Sequence, residues 1–287
     1  MNDDRKTWRQ LLAQEKPLLL PVAHDALSAK LIERAGFAAY SIGGFPLVGA
    51  RHAIPDVGLV GLGEMSAGMR DIMAASRLPV LVDGDDGYGD VKNVAHTIRT
   101  YEQMGASAIF IEDQVAPKRC GHMAGKDVVP ADVMEKKLRA AAAARDSRDT
   151  FLIARTDARG VHGLDEALRR GERYLKAGAD GIFIEAPENA EELRKVGSAF
   201  RHVPQIANML EGGRTPLLPP AELQAMGFAM VAYPTSLIFR VTRTVEKALA
   251  DMKAGRLSLE GEGVGFEGFK AVVGYDTWSE VEDRFAR

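Results

Sequence analysis

Short runs of apolar residues recur along the chain, and they are apolar throughout instead of alternating with polar positions. They cover Leu18–Val22, Ala38–Ile42, Val80–Val82, Ala108–Ile111, Phe151–Ala154, Gly181–Ile184, Gln205–Ala207 and Met230–Ala232. Such runs indicate strands buried on both faces, as in a parallel sheet. Between them lie stretches with helical periodicity: Leu27–Ala35, Gly63–Ser76, Val91–Met104, Pro130–Arg145, Leu164–Lys176, Ala190–Phe200 and Pro220–Met226. Ser236–Ala254 follows the last run and also reads as a helix. This succession of strand-then-helix units predicts an α/β fold, a (β/α)8 TIM-type barrel, with a doubly wound open sheet as the alternative. An internal echo agrees: Gly105–Glu112 and Gly178–Glu185 both run from glycine through an apolar strand to glutamate.

Beyond the barrel the pattern changes. Gly255–Gly268 is rich in Gly and Glu and reads as a loop, and Trp278–Phe285 reads as a short amphipathic helix. The expected division is a catalytic barrel over residues 1–255 and a C-terminal loop and helix over 256–287. An apolar helix beyond a closed barrel has nothing left to cover in its own subunit, so an oligomer contact is expected there.

Composition narrows the functional classes. A chain of 287 residues suits one barrel domain. Apolar residues make up 46% but aromatics only 7%, so aliphatic side chains must fill the core. A net charge of −3 gives no electrostatic basis for binding nucleic acid or an anionic membrane. The longest apolar runs, such as Pro17–Ala23, are too short to span a bilayer, and the polar start Met1–Gln10 does not resemble a signal peptide. The single cysteine excludes an internal disulfide and suits a reducing compartment, so a cytoplasmic location is expected.

The chemistry should gather where the strands end, because barrels of this kind carry their sites at the carboxyl rim. Gly43-Gly44 follows the second run, and Asp83-Gly84-Asp85-Asp86-Gly87-Tyr88-Gly89 the third. Glu112-Asp113-Gln114, Arg155-Thr156-Asp157, Glu185 and Asn208 follow the next four. Packing alone does not explain charged groups on so many consecutive strand ends. Asp83 and Asp85 alternate and can face one point. With Glu112 they form a hard carboxylate set suited to Mg²⁺ or Mn²⁺, and no His or Cys cluster favours zinc. The alternative is an Asx-rich turn with Asp90 as helix cap.

Cys120 stands in Lys118-Arg119-Cys120-Gly121-His122. A lone cysteine is commonly buried and inert, but cationic neighbours lower a thiol's pKa, and a functional thiol on a mobile loop is the reading adopted. Arg155 either caps a strand by an ion pair or clamps a substrate carboxylate in two-point fashion. Glu185 is a group near the metal, a base, or Arg155's partner. Gly43-Gly44 is a tight turn or a pair of backbone donors to an oxyanion. His24, His96, His162 and His202 read as surface or capping residues. Met65, Met69 and Met73 read as core filler, and Glu135-Lys136-Lys137 and Arg169-Arg170 as solvated helix faces.

At these residues the sequence resembles the phosphoenolpyruvate mutase/isocitrate lyase superfamily over essentially its whole length. The Lys-Arg-Cys-Gly-His run and the upstream Asp-x-Asp-x-Gly-Tyr-Gly carry the resemblance. Cys120–Lys126, Ala154–Arg159 and Ala207–Gly213 add to it. The similarity is greatest to the branch of petal death protein, 2,3-dimethylmalate lyase and carboxyphosphonoenolpyruvate phosphonomutase. The resemblance implies that Asp83 and Asp85 hold Mg²⁺, with Asp56 and Glu112 reaching it through water. It implies that Tyr40, Gly43, Gly44, Gly121, Arg155, Asn208 and Glu211 bind substrate, with Glu185 nearby. Lys118 to His122 would form a gating loop, with Lys118 and His122 in the catalytic set and Cys120 protonating the departing carbanion. It also implies homotetramers that exchange C-terminal helices.

Two departures bear on substrate. Relatives often place Ser or Thr before the first glycine of Ile42-Gly43-Gly44-Phe45, and this loop is one residue longer before Pro55-Asp56. Methylisocitrate lyases place arginines where this chain has Met123 and Phe239, although Arg240 adjoins the latter. Fewer cations argue against a tricarboxylate. The expected activity is a Mg²⁺-dependent C–C lyase acting on a small 2-hydroxy dicarboxylate of 2-alkylmalate type. Oxaloacetate hydrolase, phosphonomutase and methylisocitrate lyase follow in that order, and a non-enzymatic binding protein is the out-of-class alternative.

Overall fold

A computed structural model of the chain describes residues 5–123, 125–256 and 261–286. Ala124, within the Cys120–Lys126 motif, and residues 257–260 of the expected loop lie outside them. The strands are β1 (Leu18–Pro21), β2 (Tyr40–Ile42), β3 (Val80–Asp83), β4 (Ala108–Glu112), β5 (Phe151–Thr156), β6 (Gly181–Ile184), β7 (Ile206–Asn208) and β8 (Met230–Tyr233). β2 to β6 pair in chain order, and β8 lies between β1 and β7. Every pair is parallel. Two parallel bridges, Val22 with Ser41 and Ile182 with Gln205, join the two groups. The ring is therefore closed, as the barrel reading expects, and the open-sheet alternative falls away.

Within each strand alternate side chains go to opposite sides. Leu20, Leu81, Phe110, Ile153, Phe183 and Ile206 fill the barrel interior. Ile42, Val82, Ile109, Ala154, Ile182 and Val231 face the surrounding helices. Both sets are apolar, which is why the runs show no alternation in sequence. Met65 and Met69 are buried among the outward set, with Met73 packed beside them. Asp90 caps the helix Val91–Gln103 in a capping box with Asn93.

Several elements were not foreseen. The helix Trp8–Gln14, opened by a Thr7–Gln10 capping box, buries Trp8 and Leu11 in the interior cluster. Helices also form at Gly44–His52, Ala158–His162 and Phe266–Val273, the last starting within the end of the expected loop and running past it. The terminal helix begins earlier than expected, at Tyr275.

Some side chains assigned to solvent are buried. Lys137 donates to the Asp86 carbonyl at 2.8 Å. Arg170 donates to Asp113 at 3.0 Å and to the Val129 carbonyl at 2.7 Å. His24 is buried too, and burial holds its pKa below the ordinary value. A cation on an otherwise polar helix face can turn inward when a carboxylate waits for it, and periodicity does not register that. By contrast, the helix Ser236–Lys253 buries no residue, and Trp278, Phe285 and Phe266 stand well exposed.

Candidate active site

The interior alternation continues past the last apolar residue of each strand. β3 carries Leu81 then Asp83, β4 Phe110 then Glu112, β5 Ile153 then Arg155, and β7 Ile206 then Asn208. β6 carries Phe183, and Glu185 stands just beyond it. All of these residues except Ile153 line one cavity at the carboxyl rim. Ser41 lines it as well, whereas Tyr40, one residue earlier, faces the opposite way into the helix-packed core. The expected substrate contact of Tyr40 is thereby corrected: its position on β2 has the wrong parity. Glu211 is absent from the lining too, pairing with Arg240 at 3.0 Å and Ser236 at 3.2 Å.

One side of the rim is acidic. Asp83, Asp85, Asp56 and Glu112 are all buried. Asp83 accepts from the Gly44 amide and from the Asp85 amide, each at 2.9 Å. Asp85 takes a left-handed backbone with φ of 47°, which Asp tolerates better than most residues. Lys118 reaches in from the loop to lie 2.6 Å from both Asp56 Oδ1 and Asp85 Oδ1. Burial, and then the neighbouring Asp85, push the Asp83 carboxyl up to about 6. Burial likewise raises Asp56 and drives Glu112 well above the carboxylate range despite Arg155. Burial would lower Lys118, but Asp85, Asp83, Glu112 and Asp56 together hold it far above the usual lysine range.

No trio of His, Cys, Asp or Glu among the described residues is already grouped as a metal site. The donor set nevertheless fits a hard divalent cation. Of the four buried carboxylates, Lys118 pairs with Asp56 and Asp85 and Arg155 lies beside Glu112, while Glu112 Oε1 has no hydrogen-bond partner among the described residues. Gly43 and Gly44 open the helix Gly44–His52 and line the cavity. The Gly44 amide, expected to face substrate, is bonded to Asp83 instead.

The other side of the rim is internally paired. Arg155 donates to Asp157 through Nε at 2.9 Å and Nη2 at 3.1 Å. It also lies 3.2 Å from Glu112 and 3.3 Å from Glu185. Its guanidinium rests over the rings of Phe183 and Phe110, at 5.2 and 5.9 Å from their centroids. Burial would raise Glu185, but Arg155 and His122 outweigh it and hold Glu185 well below the carboxylate range. Asn208 donates to both Glu185 oxygens at 3.3 Å.

The loop between β4 and the helix Ala131–Ala144 covers this side. Its base is fixed by a bridge from Gln114 to Val128 and by the Gln114 side chain, which bonds both the N–H and the C=O of Arg119. His122 Nε2 lies 3.1 Å from Glu185, while Nδ1 accepts from the Arg214 amide at 3.0 Å. Gly121 presses on the clamp: a Cβ there would stand 2.3 Å from Arg155 Nη2, so only glycine lets the loop come this close. Cys120 lines the cavity half-buried. Burial raises its thiol pKa, against the lowering expected from its cationic neighbours. A thiol that stays protonated suits a proton donor better than a nucleophile.

Sequence reasoning gave no role to Asp113, Asp157, Gln114 or Lys126. Asp113 accepts from Thr156 at 2.7 Å, the Asp157 amide at 2.9 Å, Tyr174 at 2.8 Å and Arg170. It fixes the backbone behind Arg155. Asp113, Gln114 and Asp157 were signalled by their place beside strand ends, and Lys126 by its place in the Cys120–Lys126 motif.

Residues 8–253 match the phosphoenolpyruvate phosphomutase family. The chain is 41% identical to 2,3-dimethylmalate lyase of Eubacterium barkeri, covering 97% of this chain and 96% of that one. It is 40% identical to the petal death protein of Dianthus caryophyllus, covering 98% and 89%. A probable 2-methylisocitrate lyase of Corynebacterium glutamicum is also 40% identical, over 86% of this chain and 80% of its own. Among solved structures, oxaloacetate acetylhydrolase bound to 3,3-difluorooxalacetate superposes with a TM-score of 0.91 at 28% identity, covering 96% and 95%. Phosphonopyruvate hydrolase in complex with oxalate and Mg²⁺ superposes with a TM-score of 0.83 at 29% identity, covering 97% and 98%. No helix is long and apolar enough to cross a membrane among the described residues.

Proposed function

Since the chain belongs to the phosphoenolpyruvate phosphomutase family, within the phosphoenolpyruvate mutase/isocitrate lyase superfamily, we propose that it is a Mg²⁺-dependent C–C lyase of small 2-hydroxy dicarboxylates of 2-alkylmalate type. The carrying observation is that Cys120 lines the same cavity as the acidic cluster and the Arg155 clamp. Asp83 and Asp85, with Asp56 and Glu112 beside them, would hold Mg²⁺, which would supply the Lewis acidity that lowers the pKa of the substrate's C2 hydroxyl. Arg155 binds the second carboxylate, and Glu185 and Asn208 hold the guanidinium's surroundings in place. Transfer of the C2 hydroxyl proton to a carboxylate of the acidic cluster drives C2–C3 cleavage to a 2-oxo acid, with the bonding pair left on C3. The Cys120 thiol protonates that carbon, and the loop excludes water.

The mouth supports a dicarboxylate. Phe239 packs edge-on against Phe45 with centroids 6.2 Å apart, and Met123 is apolar at the other expected arginine position. Arg240 is turned outward to Glu211. Burying a third carboxylate without a cation costs several kcal/mol, roughly a thousandfold in affinity. Oxaloacetate hydrolysis is the second reading, supported by the superposition on oxaloacetate acetylhydrolase. A panel of alkylmalates, oxaloacetate, methylisocitrate and phosphonopyruvate with Mg²⁺, read by 2-oxo acid and oxalate release, tests the assignment. Methylisocitrate turning over as fast as dimethylmalate would overturn it. The unburied helix Ser236–Lys253 and the exposed Phe266, Trp278 and Phe285 support self-association through exchanged C-terminal helices, tested by molar mass in solution.

A further inference from the structure

Lys126 would not touch substrate, yet its ammonium stands where the loop meets the clamp. It donates to Asp157 Oδ1 at 2.6 Å and to the Gly121 carbonyl, with its side chain 4% exposed. A lysine this buried is tolerated only where polar partners replace its hydration. Both partners belong to the working parts. Asp157 holds Arg155, and Gly121 follows Cys120. The lysine stem lies along the helix Ala158–His162, where a Cβ on Gly160 would meet Lys126 Cε at 3.0 Å.

We propose that Lys126 is a positioning residue that couples closure of the Cys120 loop to the readiness of the Arg155 clamp. The base of the loop is braced by Gln114 as far as Arg119, so the segment carrying Cys120, Gly121 and His122 depends on its own ties. Lys126 spans that segment by binding the Gly121 carbonyl and fastens it to the end of β5 through Asp157. The same ammonium shares Asp157 Oδ1 with Arg155 Nη2, whereas Oδ2 faces Nε. With the loop closed, Lys126 draws on Oδ1 and leaves Nη2 less committed to Asp157. Nη2 is also the guanidinium atom nearest the Gly121 position and Glu185. With the loop open, Asp157 returns wholly to Arg155. One lysine thereby links water exclusion to anion binding.

This inference rests on the reading of Arg155 as a carboxylate clamp, but its test needs no turnover. Cys120 is the chain's only cysteine, so alkylation by iodoacetamide reports on the loop alone. Lys126→Met leaves Asp157 paired with Arg155 and should fold with a near-unchanged Tm. Losing one charge-assisted hydrogen bond at the loop should speed Cys120 alkylation about tenfold and weaken binding of oxalate, in the presence of Mg²⁺, by a similar factor. Lys126→Arg should restore part of both effects. A folded Lys126→Met protein alkylated at the wild-type rate would overturn the loop tie. Faster alkylation with unchanged oxalate affinity would overturn the coupling to Arg155. If Lys126→Met does not fold, Lys126→Arg decides between the same outcomes. A substrate panel without turnover would defeat the proposed function and leave the alkylation result standing.

Discussion

The two halves of the rim carry similar numbers of charged groups and treat them oppositely. Around β5 and β6, Arg155 lies between Asp157, Glu112 and Glu185, and pairing outweighs burial, so Glu185 and Asp157 are held below the carboxylate range. Around β3, burial prevails and carboxyls rise, with Lys118 the cation among them. A buried site with excess negative charge is complete only when a cation joins it. The difference teaches which half is finished by the chain itself and which half waits for something else.

Metal removal should break the comparison most visibly. Excess chelator should abolish turnover and Mg²⁺ or Mn²⁺ should restore it, while Asp85→Ala should stay inert at any metal concentration. Independently of activity, saturating Mg²⁺ should raise Tm, by the equivalent of about 2.7 kcal/mol at a hundred times Kd. Full activity in chelator would show that Lys118 alone completes the acidic half.

Cys120→Ser comes next. If Cys120 delivers the proton as proposed, the variant should fold normally and lose about 10²–10⁴ in kcat. A folded variant with near-normal turnover would return Cys120 to packing.

The pH dependence sharpens the contrast. Asp83 sits at about 6 in the folded chain against an ordinary 3.8. Between those values the folded chain holds a proton that the unfolded chain has released. This group's contribution to stability therefore falls as pH rises through that window. The metal-free protein should lose Tm from pH 5 to pH 7, and Mg²⁺ should recover it at pH 7 more than at pH 5. Glu185 and Asp157, held low, lose their contribution only as pH falls below the ordinary carboxylate range. A Tm rising from pH 5 to pH 7 without metal would contradict the acidic half as described.

The smallest effect belongs to Tyr40, which lies on neither half. Its hydroxyl is buried without a partner among the described residues. Removing such a group is near neutral, so Tyr40→Phe should keep kcat/KM within about twofold. A large loss would restore it to the substrate set.

Much of this was legible in the chain. The strands appear within a residue or two of their apolar runs, and Asp83, Glu112, Arg155, Glu185 and Asn208 meet as their strand-end positions required. The errors share causes. Runs apolar on both faces conceal which parity points inward, so the run itself gave no check on the Tyr40 contact that the resemblance implied. Arg170 and Lys137 turn inward to Asp113 and Asp86, partners distant in sequence. Lys126 and Asp157 act through other residues, and no local spacing records a contact made across a loop. The helix Trp8–Gln14 is a single short element whose burial depends on the barrel above it.

The order in which the strands pair bears on how the site comes into being during synthesis. β3 to β6 each lie beside the strand made just before, so each can dock as it leaves the ribosome, with Asp83, Glu112, Arg155 and Glu185 arriving on that growing sheet. β1 is made first of the eight, and apart from the bridge of Val22 to Ser41 its ladder must wait: Leu18 pairs with Met230 and Pro21 with Tyr233. Contacts so distant in sequence carry the largest closure entropy and form late. A nascent chain halted before β7 would hold the acid cluster and the guanidinium on one curved sheet. It would lack Asn208 and the two strands, β7 and β8, that complete the ring, with β1 tied to it only through the bridge from Val22 to Ser41.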